Sequence, residues 1–367
     1  MSVERDQLSS LVGELPGSDA SQAPELATLP LFVAVKQACN MRCGYCTIYG
    51  EGRSAEPGQL STGELVDVLG NAYESGVRTF RFTGGEPTLD LELGDKMLAA
   101  QALGDDVRVA LTTNGARLRP LFPTLEQLKD PRVFVSVDSY DNITQETTEQ
   151  GLRIEKWLKP RIQNMITDMP DNVHTRINFV LTAANQSQLP KLVDYAVEQG
   201  IDIKVFELLL RDYAFVEGQD PEDVFARQFV SVRTVLPSLA EQYGQADTYS
   251  GTGGKGIPMS SFKVGDSRVI FFDSGVGSHY GEPCAGCPAF PCQEGLYAMT
   301  INENGVVHPS GCVNESTYVG MAAIEGAERT DAFRDMASMI GQATFRPDVP
   351  EAVTALLDNP NPGPNSL

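Results

Sequence analysis

The sequence predicts an α/β fold, in which a partial (β/α)6 TIM barrel is followed by a small cysteine-rich unit of β-hairpin and helix. Two observations predict the barrel: apolar, β-rich runs alternate with amphipathic helical stretches, and turn residues separate them. A third observation predicts the added unit, because four of the seven cysteines lie together after the last alternating pair. Strands joined by right-handed helical crossovers form a parallel sheet that curves into a partial barrel.

The predicted elements follow one another in a regular order. The first strand is the apolar run Leu31–Val35. Ser61 and Glu64 form a capping box that begins a helix, and Gly76 ends it. The next predicted strands are Val77–Thr83, Val107–Thr112, Val133–Val137, Arg176–Leu181 and Ile203–Leu208, and the helices between them are Asp95–Leu103, Ile154–Met169 and Leu189–Gln199.

The pattern changes after Leu210. A helix is predicted around Val224–Tyr243, and Ser250–Gly256 is predicted to be a glycine-rich linker or loop. Short strands are predicted at Arg268–Phe272, Leu296–Ile301 and Val306–Val307, with Asn304–Gly305 as a hairpin turn. We therefore expect five segments: a flexible leader (1–29), the barrel (30–215), a helical linker (216–257), an auxiliary domain (258–345) and a tail (346–367).

The charge of the chain excludes two classes of partner. Lys and Arg number 28 against 49 Asp and Glu, a net charge of −21. Nucleic acids and anionic membrane surfaces attract clustered cations, so we expect neither as a partner. The first 29 residues are polar and acidic, where a signal peptide needs a basic start and an apolar stretch. A soluble, cytoplasmic enzyme is the expectation.

Three cysteines lie in one loop directly after the first predicted strand. Cys39, Cys43 and Cys46 are spaced CX3CX2C, at the sheet edge where α/β barrels keep their active sites. Three thiolates can hold three irons of a four-iron cluster and leave the last iron open to a small molecule. The alternative is a zinc knuckle without a complete ligand set, and no histidine lies nearby in sequence to complete it. We therefore predict an iron–sulfur cluster with one open iron.

A glycine-rich turn, Thr83-Gly84-Gly85-Glu86-Pro87, follows the second predicted strand. Its glycines let the backbone approach a ligand closely, and Pro87 stiffens the turn. Alone, this turn is equally compatible with an ordinary β-to-α connection. Together with the cysteine loop, it resembles the radical S-adenosylmethionine (SAM) superfamily.

The resemblance extends to MoaA, the molybdopterin-precursor cyclase, and its relatives. Four further motifs at strand positions carry it: Thr112-Thr113-Asn114-Gly115, Val135-Ser136-Val137-Asp138-Ser139, Arg176-Ile177-Asn178 and Lys204-Val205-Phe206-Glu207. The resemblance implies that the open iron binds SAM and that an electron from the cluster cleaves it. A 5′-deoxyadenosyl radical would then abstract hydrogen from a substrate held in the barrel lumen, away from water.

The resemblance also implies roles for individual residues. Arg176 is implied to be catalytic and, with Lys204, to supply positive charge in the lumen; the alternative for both is a surface ion pair. The residues implied to bind SAM or to lie beside it are Tyr45, Gly84, Gly85, Glu86, Pro87, Thr112, Asn114, Ser136 and Lys204.

The late cysteines Cys284, Cys287, Cys292 and Cys312 form a plausible four-thiolate site. Their spacing alone is compatible with structural zinc. The resemblance implies instead a second, auxiliary four-iron cluster, although MoaA-like cyclases use three cysteines there. Four ligands would close the cluster and favour electron transfer, whereas three would leave one thiol as a hydrogen-atom donor.

The substrate is predicted from the basic residues that this chain lacks relative to MoaA-like cyclases. MoaA-like cyclases carry basic residues at the positions of Phe32, Thr79, Ala298 and Thr300, while Arg81 remains. We therefore expect a nucleoside, sugar or aminocyclitol-like small molecule of specialised metabolism, which would be epimerised, dehydrogenated or decarboxylated. The alternatives are a peptide-modifying maturase, the GTP cyclase of molybdenum cofactor biosynthesis, and a zinc-stabilised binding module. An electron donor such as flavodoxin or ferredoxin is the expected protein partner.

Overall fold

The computed structural model describes residues 29–46, 60–149, 151–210, 219–244, 246–249 and 255–358. Within them, twelve strands form one sheet and two form a small separate one. The strands are β1 (Pro30–Lys36), β2 (Thr79–Gly84), β3 (Arg108–Thr113), β4 (Arg132–Ser136), β5 (His174–Leu181), β6 (Asp202–Glu207), β7 (Asp247–Tyr249), β8 (Met259–Val264), β9 (Ser267–Phe272), β10 (Ser278–Tyr280), β11 (Met299–Ile301), β12 (Val306–Pro309), β13 (Val319–Gly320) and β14 (Thr344–Arg346).

The large sheet is built around a parallel centre. Its order is β13-β12-β11-β1-β2-β3-β4-β5-β6-β9-β8-β7. Neighbouring strands from β1 to β6 pair in parallel, and so do β6 with β9 and β1 with β11. The remaining pairs are antiparallel. The predicted α/β fold with a partial barrel is therefore confirmed.

Helices connect these strands and cover one face of the sheet. The α-helices are α1 (Thr62–Glu74), α2 (Leu93–Gln101), α3 (Phe122–Gln127), α4 (Thr144–Glu149), α5 (Pro160–Thr167), α6 (Leu189–Glu198), α7 (Pro221–Gln228), α8 (Leu236–Tyr243), α9 (Ala327–Gly341) and α10 (Glu351–Asp358). The capping box predicted at Ser61 and Glu64 is present at the start of α1.

The two faces of the sheet differ in exposure because successive side chains of a strand point to opposite faces. On β6, Ile203 and Val205 are fully buried in the apolar core, and Lys204 and Phe206 alternate with them. We call the face that carries Lys204 and Phe206 the lumen. Phe32, Arg81, Phe134 and Arg176 stand in the same alternating row of the neighbouring strands.

Two helices predicted from the sequence are wrong in extent. Only Pro160–Thr167 is helical within Ile154–Met169, because a proline disfavours helix in the residue before it and is tolerated in the first turn of the next. The helix predicted around Val224–Tyr243 is two helices, α7 and α8, and Pro237 lies in the first turn of the second.

The strand predicted over Leu296–Ile301 is shorter, because the backbone N–H of Leu296 donates to His279 outside the sheet. The turn at Asn304–Gly305 is confirmed, with Gly305 at a φ of 74°. The β8 strand was not predicted. The region predicted as a linker at Ser250–Gly256 lies largely outside the described residues.

The C-terminal part of the chain contributes to both edges of the barrel sheet. The β8–β9 hairpin extends it beyond β6, while β11 pairs with β1 on the other side. Cys284, Cys287 and Cys292 lie in the connection between these two additions, and Cys312 follows β12. The chain thus brings its second cysteine group next to the ends of the barrel strands.

Candidate active site

The first cysteine loop follows β1 at the carboxyl edge of the sheet. Cys39 and Cys46 are exposed, and Cys43 is buried. The structure describes this loop as far as Cys46. All three side chains of the predicted cluster site therefore belong to one short connection, as the sequence predicts.

The glycine-rich turn holds this loop through its backbone. The N–H of Gly85 donates to the carbonyl of Lys36 at 2.6 Å, and the N–H of Glu86 donates to that of Ala38 at 2.9 Å. A Cβ atom on Gly85 would lie 2.1 Å from the carbonyl oxygen of Gln37. The two backbones approach so closely that only glycine fits, and this contact fixes the residues immediately before Cys39.

Glu86 is turned into the protein and is 1% exposed. Its carboxylate accepts hydrogen bonds from the hydroxyl and N–H of Thr88, from the hydroxyl of Thr113 at 2.6 Å and from the N–H of Asn114 at 2.7 Å. Four donors use most of the acceptor capacity of a carboxylate. Glu86 thus ties the turn after β2 to the turn after β3, while the binding of SAM by this residue stays a prediction.

Asn114 carries the connection on to the cysteine loop. Its amide nitrogen donates to the side chain of Asn40 at 2.8 Å and lies 3.9 Å from the sulfur of Cys39. Thr112 accepts a hydrogen bond from the guanidinium of Arg81 at 2.7 Å. Ser136 ends β4. These three predicted residues follow neighbouring strands and lie around the same edge.

Sequence reasoning missed a segment that supports the loop from the other side. Residues 151–159, predicted to be partly helical, are non-helical and run along the cysteine loop. The N–H of Gly44 donates to the carbonyl of Arg153 at 2.8 Å, and the N–H of Arg42 donates to the carboxylate of Glu155 at 2.6 Å.

Lys156 is a functional candidate that the sequence did not reveal. It is partly buried, and its ammonium lies 5.2 Å from the ring centre of Tyr45, whose hydroxyl donates to the buried carboxylate of Asp138. Burial alone would lower the pKa of Lys156, but Cys43, Asp138, Cys46 and Cys39 together raise it. A lysine on a segment predicted to be helical gives no local signal of this role.

The donor set fits an iron–sulfur cluster. Burial raises the pKa of Cys43 to about 12 and also raises that of Cys39, so the thiolate forms need a positive partner. Metal ions and the charge of Lys156 supply it. Within the described residues, no three Cys, His, Asp or Glu side chains converge as one metal ion requires. A four-iron cluster instead offers a separate iron to each thiolate.

Cations and aromatic rings share the lumen. The guanidinium of Arg176 lies 3.8 Å from the ring centre of Phe134, and that of Arg81 lies 4.9 Å from the same ring. Arg81 also lies 4.7 Å from the ring centre of Phe32. Partial burial, followed by the charges of Arg176 and Arg81, lowers the pKa of Lys204 well below its ordinary value. The two guanidinium groups thus disfavour the charged form of Lys204, and the three basic side chains share the lumen face.

All four late cysteines line one cavity of about 70 Å³. Leu209 and Leu210, which follow β6, form part of its wall. The N–H of Gly295 points to the sulfur of Cys292 at 3.3 Å. Burial raises the pKa of Cys292 to about 11 and also raises those of Cys284 and Cys312. The shared cavity brings the four thiols to one place and is compatible with a metal or iron–sulfur site.

Comparison with known families agrees with this geometry. Residues 33–160 match the model of the Radical SAM superfamily. The chain contains a radical SAM domain. This domain covers β1 to β4 and the loop that carries Cys39, Cys43 and Cys46. Radical SAM proteins use a four-iron cluster together with SAM, which confirms the predicted type of cofactor for this domain.

Curated proteins similar to this chain are named as GTP 3′,8-cyclases. A probable cyclase of Sulfurisphaera tokodaii is 32% identical over 175 residues, which is 47% of this chain and 53% of the relative. A cyclase of Helicobacter pylori is 26% identical over 268 residues, 70% of this chain and 74% of the relative. A probable cyclase of Methanococcus maripaludis is 29% identical, and the chain spans 58% of its length.

Solved structures share the fold. Streptococcus suis SuiB gives a TM-score of 0.52 at 19% identity, covering 84% of this chain and 65% of SuiB. The structure described as native anSMEcpe with bound AdoMet gives a TM-score of 0.52 at 14% identity, covering 85% of this chain and 82% of that one. At these identities the likeness concerns the fold alone.

Among the described helices, none has the length and apolar character needed to cross a membrane.

The close approach at Gly85 generates a prediction. Gly85→Ala should displace the cysteine loop, because its Cβ would overlap the carbonyl of Gln37. We expect iron bound by the first cysteine group to fall to less than about a third, with a loss of stability of about 2 kcal/mol from the strain. Iron analysis and chemical denaturation would measure these effects.

The matched control is Gly70→Ala in α1, where a Cβ has open space. Alanine should stabilise that helix by up to about 1 kcal/mol. Equal iron content in the Gly85→Ala variant and the wild-type chain would contradict the role given to the glycine turn.

Proposed function

We propose that this chain is a radical SAM enzyme that acts on an anionic small molecule in the barrel lumen. Cys39, Cys43 and Cys46 would hold the catalytic cluster. When bound, the cluster and SAM supply a carbon-centred radical that removes a hydrogen atom from the substrate. The observation that carries the choice of substrate is the group of three cations that line the lumen, Arg81, Arg176 and Lys204.

The residues around the cysteine loop would orient SAM rather than react with it. Tyr45 presents a ring beside Lys156, so that an aromatic surface and a positive charge adjoin the cluster. Asn114 faces the sulfur of Cys39 from the opposite side. By resemblance, Gly84, Gly85, Pro87, Thr112 and Ser136 would complete the SAM pocket. Each of these residues lies in β2, β3 or β4 or in the turn that follows the strand.

Charge favours an anionic substrate over the aminocyclitol expected from the sequence. An amine-bearing ligand would add a positive charge beside two guanidinium groups that already lower the pKa of Lys204. A phosphate or carboxylate would instead pair with the two guanidinium groups and stabilise the charged lysine. The aromatic rings of Phe32 and Phe134 offer stacking surfaces for a planar base.

The names of the relatives make GTP the first substrate to test. Two features separate this chain from the sequence pattern of those cyclases. Phe32 replaces a basic residue and packs against Arg81, and the hydroxyl of Thr300 is engaged by Ser310 at 3.0 Å. Fewer cations favour a ligand with less charge than a triphosphate, so GTP, GMP and guanosine form a graded series of probes.

We further propose that Cys284, Cys287, Cys292 and Cys312 together hold a closed auxiliary cluster. All four line the same cavity, which leaves no iron open for substrate. Its role is then electron transfer, with an external donor such as flavodoxin or ferredoxin supplying the first electron in the cytoplasm. Zinc in place of either cluster would be recognised by metal without acid-labile sulfide.

The cysteine assignment predicts the outcome of anaerobic SAM cleavage. Reconstituted wild-type chain should hold about eight irons and release 5′-deoxyadenosine under strong reduction. Replacing Cys39, Cys43 and Cys46 by alanine should remove about half of the iron and lower cleavage by at least about a hundredfold, since no site for SAM remains.

The control replaces the four late cysteines by alanine, which should also remove about half of the iron but leave substrate-free SAM cleavage detectable. Zinc without sulfide in the wild-type chain, or cleavage unchanged by loss of the first cysteine group, would contradict the assignment.

The positive charge of Lys156 should raise the reduction potential of the first cluster. Adding an electron to the cluster is favoured by a nearby cation, so Lys156→Met should lower its reduction potential and slow SAM cleavage by about tenfold at fixed reductant. Lys156→Arg retains the charge and should stay close to the wild-type rate. EPR-monitored redox titration would measure the potential.

Lys159→Met is the matched control, because Lys159 lies on the same segment but contacts Trp157. An equal effect of the Lys156 and Lys159 substitutions would show that general surface charge, and no local interaction, sets the potential.

The lumen cations predict selective loss of substrate binding. Arg176→Gln and Arg81→Gln should each raise KM for a phosphorylated substrate by at least about tenfold, the loss of about 1.4 kcal/mol of charge-assisted hydrogen bonding. Substrate-free SAM cleavage by the Arg176→Gln chain should stay within about twofold, whereas Arg81→Gln also removes the hydrogen bond to Thr112 and is compared on KM alone.

Arg108→Gln, at an exposed position of β3, is the control and should change neither quantity. A KM that is unchanged in the lumen variants, or a preference for guanosine over GMP and GTP, would overturn the anionic substrate.

A further inference from the structure

A buried glutamine joins the auxiliary cysteines to the barrel. Gln293 directly follows Cys292 and is 5% exposed. Its amide nitrogen donates to the carbonyl of Leu208 at 3.0 Å and to the hydroxyl of Ser274 at 3.1 Å. Its amide oxygen accepts from the N–H of Leu210 at 2.6 Å. Both hydrogens and the oxygen of the amide are therefore engaged, and two of the contacts fix the chain just after β6.

Glu207, the last residue of β6, stabilises this connection through a second set of hydrogen bonds. It is 1% exposed, and its carboxylate accepts from the N–H and hydroxyl of Ser274. It also accepts from the hydroxyl of Ser231 at 2.9 Å and from the N–H of Val232 at 2.7 Å. A buried carboxylate is tolerated only when donors surround it, and these donors come from two separate parts of the chain, residues 231–232 and Ser274.

The connection lies between the two parts of the proposed site. Leu209 and Leu210 line the cysteine cavity, while Lys204 and Phe206, a few residues earlier, belong to the lumen. The side chain of Gln293 holds the chain just after β6 against the backbone that carries Cys292. An apolar side chain would fill the same volume in the cavity wall without fixing the relative position of the two chains.

We propose that Gln293 is a positioning residue that sets the place of the auxiliary cluster relative to the lumen. The inference rests on the proposed auxiliary cluster at the four late cysteines. Hydrogen bonding and solvent access around a cluster set its reduction potential, and Gln293 controls both by holding the Cys292 segment against β6. Ser274 accepts a hydrogen bond from Gln293 and itself donates to Glu207, so these two residues stabilise the position of Gln293.

The test uses the full chain with Cys39, Cys43 and Cys46 replaced by alanine, so that only the auxiliary cluster contributes to the spectrum. Gln293→Leu in this background should retain iron and sulfide but shift the reduction potential and broaden the EPR signal. Hydrogen exchange at residues 208–210 should rise by at least about tenfold, because the N–H of Leu210 loses its acceptor.

Two further variants make the result specific. Ser274→Ala removes the link to Glu207 but keeps the contacts of Gln293 with Leu208 and Leu210, so it should shift the potential in the same direction by less. Gln228→Leu is the matched control. Gln228 is also buried and accepts from the N–H of Ala184 at 3.2 Å, and it should change neither potential nor exchange at residues 208–210.

An unchanged potential and EPR signal in both the Gln293→Leu and Ser274→Ala chains would overturn the positioning role, as would an equal shift in the Gln228→Leu chain. Raised exchange without any change of the cluster would also overturn it and leave Gln293 with a structural contact only. If the background chain binds no iron, both the auxiliary cluster and the positioning role fall, while SAM cleavage by the wild-type chain still tests the radical chemistry separately.

Discussion

The site depends on the close approach of two backbones at the carboxyl edge of the sheet. Gly84 and Gly85 meet the chain between Lys36 and Ala38 at distances that no side chain allows. That contact fixes the start of the cysteine loop. The carboxylate of Glu86 joins the same turn to the turn after β3 by accepting hydrogen bonds from Thr113 and Asn114. A loop with exposed thiols thereby gains a defined position without a hydrophobic core of its own.

The same sheet organises the lumen and the second cysteine group. Parallel pairing brings Arg81, Arg176 and Lys204 onto one face, and the β8–β9 hairpin and β11 extend the sheet at its two edges. Three of the late cysteines lie between those additions, and Cys312 follows β12. The cavity that all four line also includes Leu209 and Leu210, just after the end of β6. One strand therefore joins the lumen to the cavity of the late cysteines, since β6 carries Lys204 and ends at Glu207.

Local patterns predicted the features that depend on local chemistry. The capping box at Ser61, the strand alternation and the two cysteine groups required only neighbouring residues, and the structure contains each of them. Features set by long-range packing were missed. Lys156 lies on a segment whose apolar residues suggested a helix, and Gln293 is recognisable only when Leu208 and Leu210 are brought beside it. The substrate expectation also changed, because converging lumen charges depend on strand register.

The proposed chemistry depends on three neighbouring thiolates that leave one iron open to SAM. Electron–nuclear double resonance of the reduced cluster tests this in a chain without the four late cysteines, after addition of SAM labelled with ¹⁵N at its amino group. A resolved ¹⁵N hyperfine coupling is expected, because the amino group would bind the open iron. A reduced cluster that shows no ¹⁵N coupling at saturating SAM would contradict it.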